Sequence, residues 1–400
     1  MKSRYQYRIY PNAQQRKDLA KLFGCVRVVY NDALALCKQS EKLPSNEDLQ
    51  KTCITQAKKT LERAWLGDVS VIPLQQSIAA LGVAFKNFFE SRTGKRKGTI
   101  INPPRFKRKT NQQSARFRKG GFRLKVAKVY LARIGCIKTK WSRPLPSEPS
   151  SVTVIKDTAN RYFVSFVVEI EPEIKLANNE SIGIDLGLKT FAALSTGENV
   201  SSPKNEKIDR KIRCAQRKFS RREKGSKRRE RMRLRVARLK AKERDTRKDF
   251  LHKLSSKVVN ENQVIALEDL NVSGMLKNHC LSRAISKCGW REFRTMCEAK
   301  SNKFGREFVV ISRWEPTSQL CSDCGYRWGK LDLSIREILC INCGSHHHRD
   351  ANASRNIAKV GVGHIHDSKR TRRECKTSIE AVPVELSTRL EYKQLSLFDC

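Results

Sequence analysis

Acidic residues are scarce in this sequence. Asp and Glu number 40 against 82 Lys and Arg, which leaves a formal net charge of +42 over 400 residues. A charge of that size repels itself unless a polyanion neutralises it. Nucleic acid is the polyanion that fits, with binding that weakens steeply as salt rises. Long apolar runs are also missing. None approaches the roughly 20 residues that a bilayer crossing needs, and the basic stretches lack the Trp/Phe/Leu face that would lay them on a lipid surface. The first residues, Met1-Lys-Ser-Arg-Tyr-Gln-Tyr-Arg, have no apolar core of a secretion signal. The 14 cysteines are therefore expected in a reducing compartment rather than in disulfides. Cys25, Cys37 and Cys297 read as buried small hydrophobes. There is no internal repeat.

Hydrophobic residues make up 39% of the chain, enough for real cores. Its length predicts two to four units of about 150 residues each. Tyr5, Tyr7 and Ile9 alternate with polar neighbours as in a strand. Asn12 and Gln15 resemble a capping box, followed by Leu19, Phe23, Val26, Tyr30 and Leu34 at helical spacing. A second helix is expected over 73–91. Strand-like runs then begin at Phe122, Val152 and Tyr162. Together with the first strand they predict a small β-barrel (1–10 and 95–175) interrupted by a helical insert (11–94). Beyond a polar linker at 175–180, short apolar strands alternate with helices, which argues α/β. Residues 211–248 are densely basic, with Gly225-Ser226 expected to break them into two helices. Lys and Arg so far outnumber acids there that a phosphate-tracking face is the better reading than a solvated helix. The tail, 363–400, is expected to be disordered.

Three short segments each place an acid at the end of a strand or the start of a helix. They are Ile182-Gly-Ile-Asp185-Leu-Gly-Leu, Val264-Ile-Ala-Leu-Glu268-Asp-Leu and Arg349-Asp350-Ala-Asn352-Ala-Ser-Arg-Asn356. Period two puts Gly183, Asp185 and Gly187 on one face, where flanking glycines would let a phosphate approach closely. Either Glu268 or Asp269, not both, can share the outward face of its strand. Asp350 opens a helix whose Ala351, Ala353 and Ile357 pack inward. Each segment alone could be structural, a surface acid or a helix-dipole partner. Three acids in a basic chain point to divalent cations held against a phosphate, the chemistry of a nuclease. Between the last two segments stand Cys321-Ser-Asp-Cys324 and Cys340-Ile-Asn-Cys343. This C-x2-C-x15-C-x2-C spacing fits one structural tetrahedral Zn2+ with no open position.

The order Gly-Ile-Asp-Leu-Gly, strand-Glu-Asp-Leu, Arg-Asp-x-Asn-Ala resembles the split RuvC-like nuclease of RNase H-type fold, in the version of the TnpB (OrfB) family related to type V CRISPR effectors. Arg8-Ile-Tyr-Pro-Asn, Pro104-Arg-Phe-Lys, Arg247-Lys-Asp-Phe-Leu-His-Lys-Leu and Thr317-Ser-Gln-Leu-Cys-Ser-Asp-Cys-Gly fit the same family. The resemblance covers about 1–360. It implies an α/β and α+β multidomain chain: a nuclease split over 181–315 and 347–362, with a zinc ribbon at 316–346. It further implies RNA-guided, Mg2+-dependent cleavage of double-stranded DNA beside a short target-adjacent motif, in a prokaryotic cytoplasm at the nucleoid. The guide would be a transposon-end RNA bound by a monomer. Asp185, Glu268 and Asp350 match the family's catalytic acids and would hold two Mg2+ or Mn2+ ions. One would activate water and the other would stabilise the leaving 3′ oxygen. Arg349 would pair with phosphate. Gln75 lies where the family has a base-contacting Gln, and Gln bidentate to adenine is physically reasonable; a helix-surface Gln is the alternative. The pattern departs once. The family commonly has Asp where His348 stands in His347-His348-Arg349-Asp350.

Candidate nucleic-acid contacts are Arg105 and Lys107 in the basic loop and Arg217, Arg221, Arg228, Arg229 and Arg231 in the basic helices, beside Gln75 and Arg349. Two other classes stay open. One is a guide-directed DNA-binding regulator that does not cut, which loss of a triad acid would signal. The other is a guide-independent accessory factor in transposition, which absence of co-purifying RNA would signal. A miniature CRISPR effector is a variant of the first reading. The run His346–His348 lacks the Asn and second His spacing of an HNH nuclease.

Overall fold

Two compact units share the chain in alternating segments: 1–175, 202–253 and 303–305 in the first, 176–201, 254–302 and the described residues from 306 onward in the second. The computed structural model describes residues 1–96, 98–332 and 334–374, with side chains as far as Gly363.

In the first unit, β1 (Lys2–Tyr10) runs into α1 (Ala13–Gln39). Asn12 caps α1 reciprocally: its Oδ1 accepts the Gln15 amide at 2.8 Å while Gln15 Oε1 accepts the Asn12 amide at 3.1 Å. The expected stripe from Leu19 to Leu34 is buried. It packs on α3 (Val71–Arg92), which buries Leu74, Ile78, Leu81 and Phe85. The short α2 (Asn46–Gln50) and irregular helical turns through 51–68 connect them. Six further strands follow: β2 (Gln113–Arg118), β3 (Phe122–Lys125), β4 (Lys128–Leu131), β5 (Gly135–Lys140), β6 (Ser151–Lys156) and β7 (Tyr162–Glu169). The sheet order is β2-β6-β7-β1-β5-β4-β3, antiparallel throughout. The expected barrel is therefore open, with β2 and β3 as edges. Both edges are short and carry outward Arg or Lys, a usual guard against further pairing.

Helix α4 (Glu206–Ser220) and α5 (Lys227–Glu261) separate at Gly225, which takes φ +87° as the break requires. No Pro or Gly interrupts 227–261, and α5 runs unbroken through them. Residues 202–253, expected with the nuclease, group with the first unit. Ion pairs join α5 to it: Arg161 pairs with Asp245, and Arg244 lies 3.8 Å from Asp157.

The second unit is built on β8 (Ser181–Leu186), β9 (Ala192–Leu194), β10 (Asn199–Val200), β11 (Val264–Glu268) and β12 (Glu307–Ile311), in the order β10-β9-β8-β11-β12. The pairs β8–β11 and β11–β12 are parallel, and β9 and β10 are antiparallel additions. Helices α6 (Val272–Met275), α7 (Ser282–Cys288) and α8 (Trp290–Phe304) fill the crossover, with Phe293 edge-on to Phe191 at 5.5 Å. A hairpin of β13 (Glu337–Leu339) and β14 (His346–His348) precedes α9 (Arg349–Glu374). Helix α9 packs on β8, β11, β12 and β9, and buries Ile357 against Ala266 and Ile311. The helix runs through the boundary expected at 363, and the rest of the supposed tail, 375–400, lies outside the described residues. Among the described residues no helix is long and apolar enough to cross a membrane. Cys25, Cys37, Cys53 and Cys297 are buried, and burial pushes the thiols of Cys25 and Cys53 up to about 11 and that of Cys297 to about 12. They are packing groups rather than nucleophiles.

Candidate active site

The parallel register of β8 and β11 pairs Ile184 with Leu267. Asp185 and Glu268 are the next residues on adjacent strands, so both carboxylates leave the same end of the sheet. Asp350 arrives from elsewhere, in the first turn of α9. What lets α9 lie against β8 is Gly183. A Cβ there would stand 2.0 Å from the Ser354 carbonyl oxygen and 2.4 Å from the Ala358 nitrogen. Gly361 makes the matching concession to β11, since its Cβ would fall 2.4 Å from that of Ala266. The expectation that Gly183 opens a path for phosphate is thus corrected: the helix backbone occupies that space. Gly187 serves a turn, with the Thr190 carbonyl 2.8 Å from where a Cβ would be.

The acids share one electrostatic field. Burial, then the Asp350 charge, raises the Asp185 carboxyl to about 6, against the opposing pull of Arg349, the Leu186 amide and Arg336. Burial, then the charges of Asp185 and Asp269, raises Glu268 to about 7, against Arg313. Asp185 feels the charge of Asp350, and Glu268 feels that of Asp185. Asp269 is turned aside: Arg294 Nη1 donates to it at 2.7 Å and Arg313 also binds it, which holds its carboxyl below the usual range. Of the neighbouring pair, Glu268 is therefore left for the site. Asp350 accepts from Arg336 Nη1 at 3.1 Å.

Three carboxylates, two of them raised by burial and by a neighbour's charge, suit a hard divalent cation. They do not all come within 4.8 Å of one another. An open set of this kind fits a cation that keeps several waters and takes further oxygens from a phosphate. Asp185, Glu268 and Asp350 are the residues that would hold it.

Among the described residues the compact metal-ligating group is Cys321, Cys324, Cys340 and Cys343. Cys321 and Cys343 sulfurs are 3.7 Å apart and those of Cys324 and Cys340 3.6 Å. Four thiolates at the usual Zn–S distance stand about 3.8 Å apart in a tetrahedron, so the set fits Zn2+. Each knuckle closes alike. Gly325 donates to the Cys321 carbonyl at 3.0 Å and Gly344 to that of Cys340 at 2.8 Å, both with φ above +70°. The sequence offered His347 only within the His346–His348 run and gave it no role beside the cysteines. His347 is buried with Nε2 3.2 Å from the Cys321 sulfur. Because β14 pairs with β13, His347 and His348 belong to the cysteine lobe, and the boundary expected at 346/347 falls inside a strand. The Nδ1 of His348 is buried without a hydrogen-bond partner.

The nucleic-acid candidates divide. Gln75 on α3, Arg105, Arg217, Arg221, Arg228 and Arg231 are exposed. Two others turn their charge inward. Lys107 is exposed as a residue, yet its ammonium sits 3.8 Å from the centre of the Tyr30 ring, and loss of solvent lowers it to about 8. Its backbone is gripped by Asn31, which accepts its amide at 2.8 Å and donates to its carbonyl at 3.1 Å. Arg229 donates to the Phe219 carbonyl at 3.2 Å and to that of Arg222, and lies 4.3 Å over the Phe219 ring, so it closes the end of α4. Arg349 donates to the Asp332 carbonyl at 2.7 Å.

Comparison with known proteins gives three family matches. Residues 165–279 match a family described as a probable transposase, 290–357 a Cas12f1-like TNB domain, and 1–42 a helix-turn-helix domain. In this chain the last of these segments forms strand β1 and the single helix α1. A Streptomyces pristinaespiralis protein named "Putative RNA-guided DNA endonuclease" is 43% identical over 370 residues, covering 90% of each chain. An Escherichia coli K12 protein named "Putative RNA-guided DNA endonuclease InsQ" is 28% identical, covering 89% of this chain and 92% of its own. Among solved structures, the mini-RNA-guided endonuclease CRISPR-Cas_phi3 is 10% identical with a TM-score of 0.49, over 90% of this chain and 92% of its own.

Proposed function

Since the chain belongs to the TnpB (OrfB) family, we propose that it is an RNA-guided DNA endonuclease whose carboxylates Asp185, Glu268 and Asp350 hydrolyse phosphodiester bonds. The observation that carries this reading is the convergence of those acids from two strand ends and a helix start, with Asp185 and Glu268 held above the usual carboxylate range by burial and by their neighbours' charge. Divalent cations bound there would supply an activated water and charge neutralisation at the leaving 3′ oxygen. The chain's own residues do the rest. Arg294 and Arg313 keep Asp269 out of competition for the site. Burial of Asp185 and Glu268 makes their charged forms dependent on a cationic partner.

On this reading the five-stranded sheet with α9 is an RNase H-like (RuvC-type) nuclease, and the cysteine lobe is a zinc ribbon that handles the target strand. The first unit's sheet and helices, with +42 of charge over the chain, serve a guide RNA from the transposon end and a double-stranded DNA target. Sequence would be read by base pairing and the target-adjacent motif by protein groups such as Gln75.

The test is cleavage of a target beside a randomised flank by protein co-purified with its RNA. Asp185→Ala, Glu268→Ala and Asp350→Ala each lose cleavage while RNA-dependent DNA binding stays within about threefold, as expected for groups that act on the transition state. A variant that cuts at the parental rate removes its acid from the site. RNA-free protein that cuts a chosen sequence unaided removes the guide.

A further inference from the structure

Helix α9 carries two asparagines one turn apart, Asn352 and Asn356, and both are buried. A buried amide is costly unless both its ends are matched. The backbone of the first cysteine knuckle supplies partners to both side chains. Asn352 Oδ1 accepts the Ser322 amide at 2.7 Å, and its Nδ2 donates to the Leu320 carbonyl at 2.7 Å. Those partners flank Cys321, so the Asn352 side chain pairs across a cysteine ligand as a neighbouring strand would. Asn356 Nδ2 donates to the carbonyls of Leu320 and Thr317, each at 2.8 Å. Lys359 reaches the Ser322 carbonyl. Spacings of four and three residues put all three on one helix face.

The same helix carries Asp350 in its first turn. Just before it, the Arg349 amide donates to the Arg336 carbonyl at 2.7 Å, which adds a rung to the β13–β14 ladder. Asp350 thus stands between a hairpin rung and a side-chain amide, and both partners belong to the cysteine lobe. Shifting the knuckle pulls on the helix start through Asn352. Gly183 and Gly361 hold the rest of the helix on the sheet.

We propose that Asn352, backed by Asn356, is a positioning residue that couples the knuckle around Cys321 to Asp350, so that divalent-cation binding at the three acids depends on the cysteine lobe being intact. The proposal rests on reading Asp185, Glu268 and Asp350 as a cation site. Loss of a partner that orients a metal ligand typically weakens metal binding by about 10–100-fold. Coupling between sites is also reciprocal, so occupancy of the acids steadies the knuckle in turn.

The experiment measures Mn2+ affinity of the full-length zinc-loaded protein from the paramagnetic resonance of free Mn2+, with zinc content and Tm recorded for each variant. Asp185→Ala is the control for the acid site. Asn352→Ala keeps about one zinc per chain and binds Mn2+ about tenfold more weakly than the parent. Asn356→Ala, which leaves the Asn352 bonds in place, loses less. The proposal is overturned if Asn352→Ala binds Mn2+ as the parent does with its zinc retained. Should Asn352→Ala fail to fold, Asn356→Ala decides: parental affinity overturns the proposal, and weakened affinity at full zinc supports it. An Asp185→Ala variant with parental Mn2+ affinity would sink the acid-site reading itself, and the proposal with it. Weak binding in Asp185→Ala beside unchanged binding in both Asn variants removes only the coupling.

Discussion

The α-carbon of Gly183 lies so close under the Ser354 carbonyl that a methyl group on it would come within 2.0 Å of the oxygen. Strand β8 and helix α9 are about 170 residues apart in sequence, and this contact sets how Asp350 meets Asp185. The obstacle is backbone, so no side-chain rotation relieves it. Gly183→Ala should therefore force α9 off the strand. Overpacking of a tight core usually costs about 1–3 kcal/mol, and here the upper end or more is expected. Chemical denaturation checks the stability, and cleavage should fall even at temperatures where the variant remains folded. A variant as stable and active as the parent would mean that the helix does not sit on Gly183.

The raised acids give a pH dependence with a definite sign. In protein without divalent cation at the carboxylates, Asp185 titrates near 6 and Glu268 near 7, against 3.8 and 4.5 in an unfolded chain. Between those values the folded state holds protons that the unfolded state has released. Their stabilising contribution is complete below about pH 4 and is lost as pH rises through 6 to 7. The difference between parent and the Asp185→Asn/Glu268→Gln double variant isolates it. The double variant should be the more stable of the two at pH 8, by an amount of the order of 1 kcal/mol or more, and the gap should shrink at pH 5. Mg2+ added at pH 8 should raise the Tm of the parent alone, because it binds only the folded acids. A gap that widens toward low pH would contradict the arrangement of charges.

The sequence revealed where chemistry sits along the chain better than it revealed what surrounds it. Asp185 and Glu268 stand at strand ends, and apolar runs mark strand ends. Cysteine spacing marks a metal knuckle in the same local way. Glu268 was matched through the family's motif, but the reason Asp269 is set aside lies in Arg294 and Arg313, which arrive from α8 and from beyond β12 and show in no local pattern. The role of Gly183 depends on a helix from the far end of the second unit. His347 touches Cys321 only because β14 pairs with β13 in one register. Strands β2, β4 and β5 were not legible in the sequence, because each carries Lys or Arg on its outer face and lacks a continuous apolar run.

Zinc should be found at about one per chain in purified protein. Cys321→Ser and Cys340→Ser should each lower that content, because either change removes one of the four sulfurs that already stand 3.6–3.7 Å apart in pairs. Structural zinc contributes directly to folding of the segment that holds it. Both variants should accordingly lose protection of backbone amides across 317–348 in hydrogen exchange, well before the first unit does. Zinc content unchanged in both variants would rule the assignment out.

The basic helices offer a sharper comparison than their charge alone suggests, because neighbouring arginines have different work. Arg228 and Arg231 are exposed, whereas Arg229 binds the carbonyls of Phe219 and Arg222 and covers the Phe219 ring. Replacing Arg228 and Arg231 together by Gln should leave Tm within a degree or two. It should weaken RNA binding and flatten the plot of log affinity against log salt by up to about two phosphate contacts. Arg229→Ala should do the opposite. It removes a charged group from two carbonyls and a ring at the end of α4, so a loss of about 1–3 kcal/mol in stability is expected, with the salt slope nearly unchanged. Fluorescence anisotropy of labelled RNA across a salt series, beside thermal melts of the same three proteins, separates the two behaviours. If Arg229→Ala flattens the slope as much as the double variant does and melts like the parent, its guanidinium faces phosphate and the closure of α4 described above is wrong.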